Sequence, residues 1–86
     1  MCSSDLYKRQ GDVARDIARQ IAGGSKAIFG LMLESNLVEG RQDLVSPGDL
    51  IYGQSITDGC IGWDATASLL DELAAAVRQR RKARTL

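Results

Sequence analysis

The 86-residue chain contains no histidine. That excludes a Ser-His-Asp or Cys-His nucleophile system and a Cys2His2 zinc site within these residues. Any acid/base or metal chemistry here rests on carboxylates, a cysteine, or lysines and arginines. Cysteine is scarce too, at two residues, Cys2 and Cys60, and one pair in a short chain is weak support for a secreted disulfide scaffold. No apolar stretch approaches the roughly 20 residues of a membrane span, and the N-terminus has no apolar signal core. The default compartment is therefore the cytoplasm. Net charge is zero, so no global field favours nucleic acid or a membrane surface.

What remains allows one small domain at most. Its charge is uneven. Arg78, Arg80, Arg81, Lys82 and Arg84 crowd the last nine residues, and the chain before them is net acidic. With aromatic residues at only 5% and none interleaved with this tail, a solvated helix end competes with a phosphate or nucleic-acid site.

Residues 1–10 show neither helical nor strand period. Tyr7-Lys8-Arg9-Gln10 is also the translation of TAT-AAG-AGA-CAG, the end of a transposon adapter used in sequencing libraries. This stretch is expected to be a non-native or disordered leader, which sets Cys2 outside the functional argument. From there, the spacing of Val13, Ile17 and Ile21, flanked by Ala14, Ala18 and Ala22, predicts a helix over 11–24. Asp12 is its expected cap and Gly23-Gly24 its stop. Asp16 is placed to pair with Arg19 or Gln20.

The chain turns on the next stretch, AIFGLMLESNLVEG, residues 27–40. Ala27–Leu33 is apolar throughout, which suits a central parallel strand buried on both faces. Gly30 within it is either tolerated or a point of close backbone approach. The run ends in Glu34, where a parallel α/β sheet usually opens into a crevice. Residues 35–57 read as a long polar loop around Ser46-Pro47-Gly48, with Leu50-Ile51-Tyr52 as a patch expected to dock. A last helix is expected from Asp64 or Thr66 to about Arg81, burying Leu69, Leu70, Leu73, Ala74 and Val77.

Glu34 and Asp58 are the chemical candidates. Together they would form a hard-oxygen half-site for a divalent ion, or a general acid/base pair. On spacing alone, the simpler reading is a solvated glutamate and a helix-capping aspartate. Cys60 is a metal thiolate or, more simply, a small buried hydrophobe. Gly23-Gly24 is not a phosphate loop, because it follows a helix and precedes a strand.

Residues 19–42 and 50–81 carry two long motifs, GxMxESxxxEG and YGxSITDxCIGW. Through them the chain resembles the C-terminal quarter of the class I 3-deoxy-D-arabino-heptulosonate 7-phosphate (DAHP) synthases. That resemblance implies an α/β fold: helix 7, strand 8, a long loop and helix 8 of a (β/α)8 TIM barrel, incomplete as a barrel, over residues 11–86. It implies condensation of phosphoenolpyruvate with erythrose 4-phosphate, the first step of the shikimate pathway. It implies a divalent metal (Mn, Fe, Co or similar) held by a cysteine, a histidine, a glutamate and an aspartate, of which Glu34 and Asp58 match the last two. Cys60 has no counterpart among these ligands. The full-length enzyme is implied to be a homo-oligomer that binds neither nucleic acid nor membrane. The 86 residues alone are expected to be inactive, with weak metal affinity. The competing reading is a small stand-alone binding or regulatory module using the exposed strand or the basic tail.

Overall fold

The computed structural model describes residues 6–84, with side chains for residues 7–82. Two helices dominate, α1 over Arg9–Ala22 and α2 over Trp63–Arg84. Short 3-10 turns lie at Leu6–Lys8 and Pro47–Asp49. Among the described residues no helix is long and apolar enough to cross a membrane.

Helix α1 starts two residues earlier than its periodicity suggests. The 3-10 turn runs straight into it, and Lys8 already has helical angles (φ −66°, ψ −22°). Asp12 therefore lies in the first turn and is not the cap, a place where a carboxylate still meets the positive end of the helix. Residues 1–5 lie outside the described residues, but residues 6–10 are helical rather than a disordered leader. Tyr7 packs beside the buried trio Ala14, Ile61 and Leu69. The helix ends as its glycines require. Gly24 adopts φ +104°, its N–H donates to the Ile21 carbonyl, and the Ser25 N–H reaches back to Gln20. This is the Schellman arrangement, which satisfies carbonyls at the helix end. On the outer face Asp16 accepts from both Arg19 (3.2 Å) and Gln20 (3.0 Å).

The two helices pack through small residues. Ala14 and Ala18 of α1 are buried, as are Leu69 and Ala76 of α2. The buried stripe of α2 is Thr66, Leu69 and Ala76, supported by half-buried Leu73 and Val77. Leu70 and Ala74, expected on that face, are exposed instead. The face is set by what the helix packs against, Ala14, Ala18 and Ile21 of α1 together with Ile61. Thr66, three residues before Leu69, then points inward and returns its hydroxyl to the Gly62 carbonyl at 2.8 Å. Arg80 leaves the basic tail to donate to the carbonyls of Ser25 and Ile28, both at 2.9 Å. It ties the end of α2 to the turn after α1.

The largest departure from expectation is Ala27–Leu33. Among the described residues it forms no strand, and only isolated bridges occur, all beyond it. Ile28 and Leu33 are half-buried on the helices, whereas Phe29 is 98% and Met32 82% exposed. A strand is defined by its ladder, and no described segment runs alongside to provide one. Gly30 has nothing within 4 Å of where a side chain would begin, so no close backbone approach explains it here. Of Leu50-Ile51-Tyr52 only Leu50 is half-buried, while Ile51 and Tyr52 are exposed.

Candidate metal-binding half-site

Glu34 stands where the extended segment meets the loop. Its backbone is fixed from two sides. The Gln10 carboxamide accepts from the Glu34 N–H at 2.7 Å and donates to the Glu34 carbonyl at 3.0 Å. The Ile61 N–H also donates to that carbonyl, at 3.0 Å, and the Ile61 carbonyl accepts from Asn36 at 3.0 Å. Ser35 and Ile61 thus form a parallel bridge. Asp58 lies three residues before Ile61, so one short pairing ties together the two segments that carry the candidate carboxylates. Both side chains are exposed.

The intervening loop is held by backbone pairs, among them the Val38 N–H on the Gly53 carbonyl at 2.9 Å, and by side-chain amides. Gln42 donates to the carbonyls of Ile51 (2.8 Å) and Gln54 (3.0 Å) and accepts from the Ile51 N–H (2.9 Å). Gln54 donates to the Glu39 carbonyl at 2.9 Å, and Asn36 accepts from the Leu37 N–H at 2.8 Å. Nothing in the sequence alone assigns a role to Gln10, Gln42, Gln54 or Arg41. Each looks like an ordinary surface polar residue. The usable signal was the long loop itself, whose backbone groups must find partners where no regular strands exist.

A pair of carboxylates is the right donor chemistry for a hard divalent ion. It is half a site. Among the described residues no group of three or more Cys, Asp or Glu side chains is placed to hold a metal. Cys60 is half-buried and directs its thiol to the Asp58 carbonyl at 3.6 Å. Cys2 lies outside the described residues. A separate apolar groove of about 230 Å³ runs between α1 and the extended segment, lined by Val13, Ala14, Ile17, Leu31, Met32 and Leu33 among others.

Residues 1–71 match the sequence model of the DAHP synthetase I family, a span that includes Glu34 and Asp58. The chain belongs to the DAHP synthetase I family. Among curated relatives, it is 60% identical over 81 residues to a phospho-2-dehydro-3-deoxyheptonate aldolase of Haemophilus influenzae, covering 94% of this chain and 22% of the relative. It is 58% identical over 79 residues to the Phe-sensitive phospho-2-dehydro-3-deoxyheptonate aldolase of Escherichia coli K12, covering 92% and 23%. A solved phospho-2-dehydro-3-deoxyheptonate aldolase from Francisella tularensis superposes with a TM-score of 0.79 at 46% identity, over 86% of this chain and 21% of that one. This member of the DAHP synthetase I family therefore spans about a fifth of the length of the curated relatives it matches.

Proposed function

We propose that this chain is the C-terminal part of the catalytic barrel of a cytoplasmic, homo-oligomeric DAHP synthase, which condenses phosphoenolpyruvate with erythrose 4-phosphate in aromatic amino acid biosynthesis. The observation that carries this reading is the family match across both the Glu34 and the Asp58 segments. In it, α1 is the seventh barrel helix, Ala27–Leu33 the eighth strand and α2 the eighth helix. The exposed faces of Phe29 and Met32 then lie against the remainder of the barrel, and Glu34 sits at the C-terminal rim, where such folds carry their chemistry.

Glu34 and Asp58 are proposed as two of the ligands of a divalent ion, with the remaining donors supplied by parts of the fold outside these residues. The ion, when bound, acts as a Lewis acid on the aldehyde carbonyl of erythrose 4-phosphate. The contribution of this chain is to present two anionic oxygen donors from backbone that is already tied down. The Ser35–Ile61 bridge holds the two segments together, and Gln10 fixes Glu34. Ordering that precedes binding lowers the entropic cost of assembling a site. By itself the chain is proposed to be inactive, because it holds half a ligand set.

The test has two arms. The purified 86-residue chain, given phosphoenolpyruvate, erythrose 4-phosphate and Mn²⁺, should form no heptulosonate phosphate; product would overturn the partial-barrel reading. Residues 11–86 grafted in place of the matching segment of the H. influenzae relative should give an active chimera. Glu34→Gln or Asp58→Asn in that chimera should abolish most of its activity and weaken Mn²⁺ binding. Unchanged Mn²⁺ affinity in both variants would remove these residues from the ligand set.

A further inference from the structure

The segment Ser55–Cys60 leaves the loop as an arch with two backbone feet. At one foot the Gln42 N–H donates to the Ser55 carbonyl at 2.8 Å. At the other, Gly40 and Cys60 exchange both backbone hydrogen bonds, at 2.8 and 3.1 Å. The residue between those two anchor points on the facing segment is Arg41. Its Nε donates to the Thr57 carbonyl at 2.9 Å, inside the span of the arch. Its Nη2 donates to Asp43 at 3.1 Å, a second point of attachment for the guanidinium. The Ser55 hydroxyl takes up the Thr57 N–H at 3.1 Å. Both polar backbone groups of Thr57 are therefore committed, and the residue that follows is Asp58.

We infer that Arg41 is a positioning residue for Asp58. It grips the peptide that leads into the aspartate and so sets the height and direction of the carboxylate at the crown of the arch. The inference rests on the reading of Asp58 as a metal ligand. Without Arg41 the two feet still hold Ser55 and Cys60, but the four residues between them lose the side-chain hydrogen bond that ties Thr57 to the facing segment. A charged donor on a carbonyl is the stronger kind of hydrogen bond. A lysine could reach the carbonyl but could not also hold Asp43 in a fixed fork.

The test is a Mn²⁺ titration of the ¹⁵N-labelled 86-residue chain, following paramagnetic broadening of individual amide signals. In the wild type, Glu34 and Asp58 should broaden together. In Arg41→Ala, broadening at Asp58 should require about tenfold more Mn²⁺, the scale of losing a group that orients a ligand. The amides of Gly40, Gln42 and Cys60 should keep their wild-type positions, and Arg41→Lys should recover part of the loss. Asp58 broadening at the wild-type Mn²⁺ concentration in Arg41→Ala would overturn the inference. So would displacement of the Gly40, Gln42 and Cys60 amides together with Asp58 and no recovery by lysine, which marks a purely structural role. If neither Glu34 nor Asp58 broadens at any Mn²⁺ concentration in the wild type, the metal reading itself falls and takes this inference with it. If the Gly40 and Cys60 amides exchange freely in the wild type, the arch does not exist.

Discussion

Gln10 and Glu34 are joined as two strands would be. The carboxamide of one takes both the N–H and the carbonyl of the other, at 2.7 and 3.0 Å. A side chain has replaced a backbone neighbour at the point where the apolar segment ends in a candidate metal ligand. Gln10→Ala should expose the Glu34 amide. At an exposed site water recovers part of the bond, so the net loss is about 1 kcal/mol, or roughly fivefold faster hydrogen exchange at Glu34. The Ser35–Ile61 pairing should keep its protection, because Ile61 still donates to Glu34. Unaltered exchange at Glu34 would show that the clamp is not maintained in solution.

Leu69 and Leu70 are neighbours with opposite fates, 1% and 51% exposed. Leu69→Ala opens a cavity between α1, Ile61 and α2, at a cost of about 2–5 kcal/mol. In a domain with so small a core, that is enough to erase the cooperative unfolding transition seen by circular dichroism. Leu70→Ala should stay within about 0.5 kcal/mol of wild type. Equal effects from the two would mean that the helix faces are wrongly assigned.

Gly53 has φ +82°, and a side chain there would begin 2.8 Å from the Leu37 Cβ. Gly53→Ala carries a conformational cost of about 1–2 kcal/mol and an overpacking cost of about 1–3 kcal/mol. Gly30→Ala meets open space and should stabilise by up to about 1 kcal/mol through the unfolded state. Urea midpoints of the two variants should therefore move in opposite directions. A common direction would contradict the backbone described for the loop.

Phe29 and Met32 stand out from an extended segment that has no ladder. Such an edge invites pairing with another chain. The isolated chain should self-associate with rising concentration in sedimentation velocity, and the double variant Phe29→Lys, Met32→Lys should shift it toward monomer. In the chimera the same double variant should abolish folding, because in the proposed barrel these side chains face its remainder. A wild-type chain that stays monomeric at high concentration would argue that the segment is self-sufficient.

The sequence by itself determined the two helices, because their apolar spacing repeats along one chain and needs no partner to be seen. It determined the stop at Gly23-Gly24 and the local pairing of Asp16 with Arg19 and Gln20, which are short-range chemistry. Through its two long motifs it also determined the family and singled out Glu34 and Asp58. Tertiary structure alone decided the rest. It set the register of α2, which buries Thr66 and Ala76 and turns Leu70 and Ala74 outward, because a helix face is chosen by what it packs against. It decided that Ala27–Leu33 is extended but not a strand here, because a ladder needs neighbours and these residues contain none. And it placed Gln10, Gln42, Arg41 and Arg80 on backbone groups distant in sequence. Nothing in a polar residue's identity states which carbonyl it will meet; that is fixed only when folding brings the carbonyl within reach.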